Sequence, residues 1–413
     1  MPHYQGYFNT KELDPLTLEK AYESVKYEHD SGSIGYYDLP KNSLVLCEEA
    51  KHFFANDRQK YDTIAIVGIG GSTLGIKAID RLLRPITHHA KKIIYLENSD
   101  PVSIAQESEQ IVLKNTFFIV ISKSGGTVET LSIFKCLIAM FALTLQNSKQ
   151  IAVISDNGSS LANFADNYGL KRFVIPANVG GRFSVLSAVG VVPLTLAGFD
   201  IVKLLQGAQS FAQSFWSRKE EHLLQKAAYY VKYAQQYPIN VLFSYADAFE
   251  EFGKWVVQLW GESLGKKNRR GERVGLTPIS LIGSVDQHSF LQLIIEGPLN
   301  KTVTFMHVEH SEDTLLIPDI SLPYLEKRDF INGISFNTLI NAQCKATMKS
   351  VLESGVSVDE ITWNSIDEAS VGEMILYYEL LTSLAGSLLE INTYDQPGVE
   401  HGKKILKEYF LGN

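Results

Sequence analysis

Three stretches of this chain carry residue types that could hold an anion or move a proton. Ser122-Lys123-Ser124-Gly125-Gly126-Thr127 packs three hydroxyls, an ammonium and two glycines into six residues, enough donors to surround a phosphate dianion. The helical stretch that follows would add the partial positive charge of its N-terminus. Helix capping needs only one hydroxyl and leaves the others unexplained. The Ile66–Gly75 loop holds Gly68, Gly70, Gly71 and Ser72. A dinucleotide fingerprint there would need glycine at Thr73, and a P-loop would need lysine at Ile76, so neither pattern holds. A tight strand-to-helix turn and an anion-binding turn stay equally open. Gln258 and Glu262 lie one helical turn apart and share a face. Trp260 and Leu259 give Glu262 apolar surroundings, and Gly261 interrupts the helix beside it; the competing reading is an ordinary pair with Lys266.

Other candidates are weaker alone. Gly180-Gly181-Arg182-Phe183-Ser184 could bring a permanent cation into a pocket, although a surface arginine explains it as well. Asp286-Gln287-His288 follows an apolar run, where sheet loops deliver reactive side chains. Lys403, in Gln396-Pro397-Gly398-Val399-Glu400-His401-Gly402-Lys403, would by default pair with Glu400. The densest basic run, Lys266 to Arg273, reads as a solvated loop that could border an anion site. His307 and His310 do not form a metal motif, and no other ligand set is apparent.

The elements that would position these residues alternate in type. Short β-branched runs at Thr63–Ile69, Lys92–Leu96, Thr116–Ile121, Gln150–Ile154 and Arg172–Ile175 are separated by helical stretches. Such runs without polar alternation predict parallel strands covered on both faces. After a long charged helix-like stretch, Phe215 to Gln236, the plan repeats with Ile239–Tyr245, Ile279–Ile282, Thr302–Val308 and Ile361–Trp363. Residues Ser365 to Ile391 carry apolar positions at helical spacing, and Pro397 starts a last helix. The expectation is an α/β protein with loops at the carboxyl ends of its strands forming the site. The proposed division is 1–50, an N-terminal helical segment; 51–200 and 201–364, two α/β units; and 365–413, C-terminal helices.

Composition narrows the partners. The chain has 413 residues, 38 Lys plus Arg against 46 Asp plus Glu, and a formal net charge of −8. An acidic chain without a long basic block does not have the footprint of a nucleic-acid binder. Its longest uncharged run, between Arg182 and Asp200, contains Pro193 and falls short of a membrane span of roughly 20 residues. No leader pattern precedes Asp14, and three scattered cysteines lack a disulfide or zinc spacing, so a cytoplasmic protein is expected.

Taken in order, Gly68-Ile-Gly-Gly-Ser72, Ser122 to Thr127, Gly181-Arg182-Phe-Ser184, Gly261-Glu262-Ser-Leu-Gly-Lys266, Asp286-Gln-His288 and Gln396 to Lys403 resemble the phosphoglucose isomerase family, in its short bacterial form, from about residue 60 onward. The resemblance implies two flavodoxin-like SIS (sugar isomerase) domains, each a mostly parallel sheet covered by helices. It implies a homodimer that interconverts glucose 6-phosphate and fructose 6-phosphate in glycolysis and gluconeogenesis, without metal or other cofactor. It assigns Ser122, Lys123, Ser124 and Thr127 to the phosphate, and Gly70, Gly71, Ser72, Gly181, Gln258 and Gln396 to substrate contacts. Glu262 becomes the proton-transferring base and Arg182 the cation beside the intermediate. His288, supplied across the dimer, opens the ring, and Lys403 completes the site. Gly125-Gly126 departs from the bulkier residue and threonine common in the family and leaves the hydroxyl contacts open. The alternatives are a non-catalytic SIS-domain sensor of sugar phosphates and an isomerase that also accepts mannose 6-phosphate.

Overall fold

The computed structural model describes residues 2–8, 10–55, 60–311 and 315–412, so the expected N-terminal segment and both α/β units each include positions outside this description. The chain begins with a short strand, β1 (His3–Gly6), so the N-terminal segment is not helical throughout. Helices Pro15–Asp30 and Leu44–Phe54 follow it. Asp14 caps the first, accepting from the N–H groups of Leu16 and Thr17, with Pro15 at the first helical position.

The first sheet is wholly parallel. β2 (Thr63–Val67), β3 (Lys92–Leu96), β4 (Thr116–Ile121), β5 (Ile151–Asp156) and β6 (Lys171–Ile175) lie in the order β3-β2-β4-β5-β6. Both faces are covered, which explains the unbroken apolar runs. Ile64, Ile66, Ile119 and Ile121 enter one core, while Ala65, Val67, Phe118 and Val120 enter another on the opposite face. The strand order reverses between β2 and β4, and a crevice opens beyond the carboxyl ends at such a point. The Gly70–Ser72 turn and the Ser122–Thr127 loop leave these two strands.

The second unit repeats the plan. β7 (Ile239–Tyr245) is followed by a two-stranded hairpin, β8 (Lys266–Lys267) and β9 (Arg273–Val274), in place of the expected solvated loop. β10 (Thr277–Ile282), β11 (Lys301–Val308) and β12 (Ser357–Trp363) then join β7 in a parallel order, β12-β11-β7-β10. β1 pairs antiparallel with β12 and supplies the fifth strand from the far end of the chain. The expected continuous helical stretch from Phe215 to Gln236 is two helices, Ile201–Trp216 and Glu221–Lys232. Arg218 between them takes a left-handed φ of 60°, which no helix can carry through. One core runs through both units and holds Ile66 of the first sheet together with Trp255, Trp363 and Leu381. Among the described residues, no helix is long and apolar enough to cross a membrane.

The C-terminal helix Glu368–Leu388 starts at a capping box between Asp367 and Ser370 and is buried along most of its length. Near its middle, both carboxyl oxygens of Glu379 are buried without a hydrogen-bond partner among the described residues, and burial pushes this acid well above the ordinary carboxylate range. The folded state therefore keeps a proton that the unfolded chain releases above its ordinary value, and stability falls as pH rises through that window. Glu379→Met should stabilise the protein by about 1–4 kcal/mol, as when other buried ionisable groups give way to apolar ones of similar volume. Thermal melts should show the gain widening from pH 5 to pH 8; a gain independent of pH would contradict a protonated Glu379.

Candidate active site

Five chain segments meet around the carboxyl end of the first sheet. The Gly70–Ser72 turn stacks on the Gly181–Phe183 turn so closely that a Cβ on Gly71 would lie 2.5 Å from the carbonyl of Gly181. Only glycine fits between these backbones. A Cβ on Gly70 would lie 3.0 Å from Nε2 of Gln258, so the face of helix Glu250–Leu264 comes directly against this turn. Oε1 of Gln258 is buried without a partner among the described residues, which leaves an acceptor for a ligand hydroxyl.

Arg182 is the fixed centre. Its Nε donates to Oγ of Ser263 at 2.6 Å and Nη1 to Oε1 of Gln396 at 3.1 Å. Nη2 donates to the carbonyls of Thr393 at 2.5 Å and Asp395 at 3.0 Å. The side chain is 1% exposed, and Nη1 lies 3.7 Å from the Glu262 carboxylate, which is 29% exposed. Burial lowers the guanidinium's pKa, opposed first by Glu262 and then by Asp395. The competing readings, a surface arginine and a Glu262–Lys266 ion pair, are thus excluded. Lys266 instead donates to the carbonyls of Ser263 and Asn392 and lies 3.4 Å from Asp395. Leu259 and Trp260 point into the core, where the indole donates to Asn240 at 3.0 Å. Glu262 therefore emerges from a helix anchored on its opposite side.

The Ser122–Thr127 loop stands next to the Gly68 turn; a Cβ on Gly68 would lie 3.2 Å from the carbonyl of Ile121. Gly125 takes φ +68°, and a Cβ there would lie 2.6 Å from the amide nitrogen of Leu161, so this departure from the family pattern is enforced locally. Gly126 faces open space. Thr127 precedes helix Val128–Phe141 but makes no side-chain cap; its hydroxyl bonds Ser122 at 2.9 Å. The first N–H groups of this helix are therefore left to another acceptor. Lys123 donates to the carbonyls of Ala177 and Val179, at 3.0 and 2.7 Å, and keeps one hydrogen of three for a ligand. Burial lowers its pKa, with Asp156 opposing.

A cleft of about 780 Å³ opens beside Glu262, lined also by Lys267, Arg273, Gln396 and Pro397. His288 and Lys403 are not brought to it. His288 is exposed in the short turn after β10, and Lys403, on exposed helix Glu400–Leu411, pairs with Glu400 at 2.6 Å. Neither makes a hydrogen bond or ion pair with Arg182, Glu262 or Gln258. Among the described residues, no cluster of His, Cys, Asp and Glu could hold a metal. Sequence reasoning missed Ser263 and the carbonyls of Thr393 and Asp395, which aim Arg182. Ser263 sits inside the quoted Glu262 motif, whereas backbone acceptors leave no trace in residue type.

The chain matches the phosphoglucose isomerase family over residues 54–410. It is 44% identical to a glucose-6-phosphate isomerase of Campylobacter jejuni, covering 96% of this chain and 97% of that one. Among solved structures, a Thermus thermophilus protein described as hypothetical superposes with a TM-score of 0.91 at 30% identity, over 99% of this chain and 100% of that one. A glucose-6-phosphate isomerase of Chlamydia trachomatis shares the fold at TM-score 0.76 and 24% identity, over 88% of this chain and 72% of that one.

Proposed function

The chain belongs to the phosphoglucose isomerase family, and on that footing we infer that it interconverts glucose 6-phosphate and fructose 6-phosphate with Glu262 as the proton carrier. The observation supporting this assignment is a partly exposed carboxylate 3.7 Å from a buried arginine that four acceptors hold in place. Moving the carbonyl from C1 to C2 removes a proton from C2 and returns it to C1 through a cis-enediolate. One carboxylate on one face can do both, and such a base is typically worth about 10²–10⁴-fold. Arg182 faces the oxygen on which negative charge develops and needs no rearrangement to do so.

The phosphate binds at the Ser122–Thr127 loop, to its hydroxyls, the uncapped helix start and the remaining Lys123 hydrogen. Gln258 and the Gly70–Ser72 turn, backed by Gly181, take the sugar hydroxyls, and Gln396 orients Arg182. A coupled assay on fructose 6-phosphate and mannose 6-phosphate tests the reading. Turnover of fructose 6-phosphate is expected, mannose 6-phosphate decides whether a second sugar is accepted, and no turnover of either overturns the proposal.

The ring must open before C2 can be deprotonated, and we assign that step to His288 and Lys403. That neither lines the Glu262 cleft nor bonds to Glu262 within one chain supports a homodimer in which a second copy supplies His288. Unpartnered apolar surface points the same way: Tyr324 is 98% exposed, Phe330 75% and Phe410 83%. Hybrid dimers test it. Mixed Glu262→Gln and His288→Ala chains, each inactive alone, should recover about a quarter of wild-type activity, since half the dimers are hybrid with one intact site. Confirmed hybrids without activity would place both residues in one chain's site. We assign a cytoplasmic setting, where Cys47, Cys136 and Cys344 would stay the free thiols they are here.

A further inference from the structure

The β8–β9 hairpin has no role in the chemistry above, yet it puts two cations on the Glu262 cleft. Lys267 and Arg273 are directly opposite in its antiparallel register, and both line the cleft and are exposed. Like charges in that relation repel and weaken a two-stranded ribbon. Among the described residues, neither has a carboxylate within ion-pair distance, and neither has Arg269 at the hairpin turn, whereas Arg270 pairs with Glu272 and Lys266 with Asp395. The hairpin cannot easily splay to relieve the repulsion. Asn268 Oδ1 accepts from the N–H groups of Arg270 and Glu272, both at 3.0 Å, and its amide donates to Glu272 at 2.7 Å. Lys266 ties the base of β8 to the carbonyls of Ser263 and Asn392. A rigid support thus holds two uncompensated positive charges together on a protein whose net charge, −8, repels dianions.

We propose that Lys267 and Arg273 form an anion subsite at the rim of the Glu262 cleft, which captures the phosphate of an incoming sugar phosphate before it settles at the Ser122–Thr127 loop. This rests on the sugar-phosphate reading above. An anion between the two side chains would convert their repulsion into shared attraction, and local positive potential at a cleft raises capture of charged substrates.

The test uses the full-length protein and the Lys267→Gln/Arg273→Gln double variant. At about 10 mM ionic strength KM for fructose 6-phosphate should rise about tenfold, with the loss carried by KM rather than kcat, and the difference should shrink towards unity near 1 M salt. Arg270→Gln, which removes a charge from the same hairpin but not from the cleft, should leave KM near wild type. An unchanged KM in the double variant, or an equal rise in Arg270→Gln, would overturn the subsite. Calorimetric titration with inorganic phosphate at low salt gives a readout independent of turnover. Wild type should bind two equivalents per chain and the double variant one; a single equivalent in wild type also overturns the proposal. Should wild type isomerise neither hexose phosphate, the functional reading fails, whereas the phosphate stoichiometry still decides the subsite.

Discussion

Glu262→Gln should lower kcat by about 10²–10⁴-fold while fructose 6-phosphate still binds, because the amide keeps the side chain's shape but cannot accept the C2 proton. The helix beneath it gives this substitution a clean interpretation. Trp260 is locked to Asn240 on the buried side, and Ser263 is locked to Arg182, so position 262 can change without displacing its neighbours. Steady-state kinetics together with direct titration of the sugar phosphate separate the two effects. A variant turning over within a few fold of wild type would remove Glu262 from the mechanism; one that neither binds nor melts normally would mean that the site had been disturbed.

Arg182→Lys carries the second large effect, with a different profile. A lysine keeps the charge but cannot serve Ser263, Gln396 and the carbonyls of Thr393 and Asp395 together. Loss of a preplaced donor to the developing oxyanion should cost about 10²–10³-fold in kcat. Each carbonyl left buried without a donor should cost about 1–3 kcal/mol of stability. Both kcat and melting temperature should therefore fall, whereas Glu262→Gln should change only kcat. A lysine variant that melts lower yet retains full kcat would limit Arg182 to a structural part.

The contrast between these two residues shows what the sequence makes legible. Strands β3, β4 and β7 are read to their ends because each is a compact, mostly apolar run; β4 is buried at every position, while β3 starts at exposed Lys92 and β7 admits Asn240 and Ser244. β1 escapes notice because four residues at a sheet edge need no such pattern, and its partner lies near the opposite end of the chain. The β8–β9 hairpin is hidden in a run of charges, since its geometry comes from Asn268 and not from apolar alternation. In the proposed site, the order of the motifs points to Glu262, Arg182 and the Ser122–Thr127 loop, and the structure brings Glu262 and Arg182 within 3.7 Å. That order does not reveal that Lys123 spends two hydrogens on backbone carbonyls, or that Arg182 is aimed by backbone acceptors. His288 and Lys403 remain unplaced for another reason: no contact within one chain ties either to Glu262.

The pairing of β1 with β12 sets an order of events during synthesis. Residues 3–6 are made long before the strand they cover, at residues 359–362. Until then the nascent second sheet exposes unpaired N–H and C=O groups, a template for association with other chains. A fragment cut between the two units would keep that edge open permanently. β1 thus acts as a latch over β12, and deleting residues 3–6 should promote aggregation while leaving every group around Glu262 untouched.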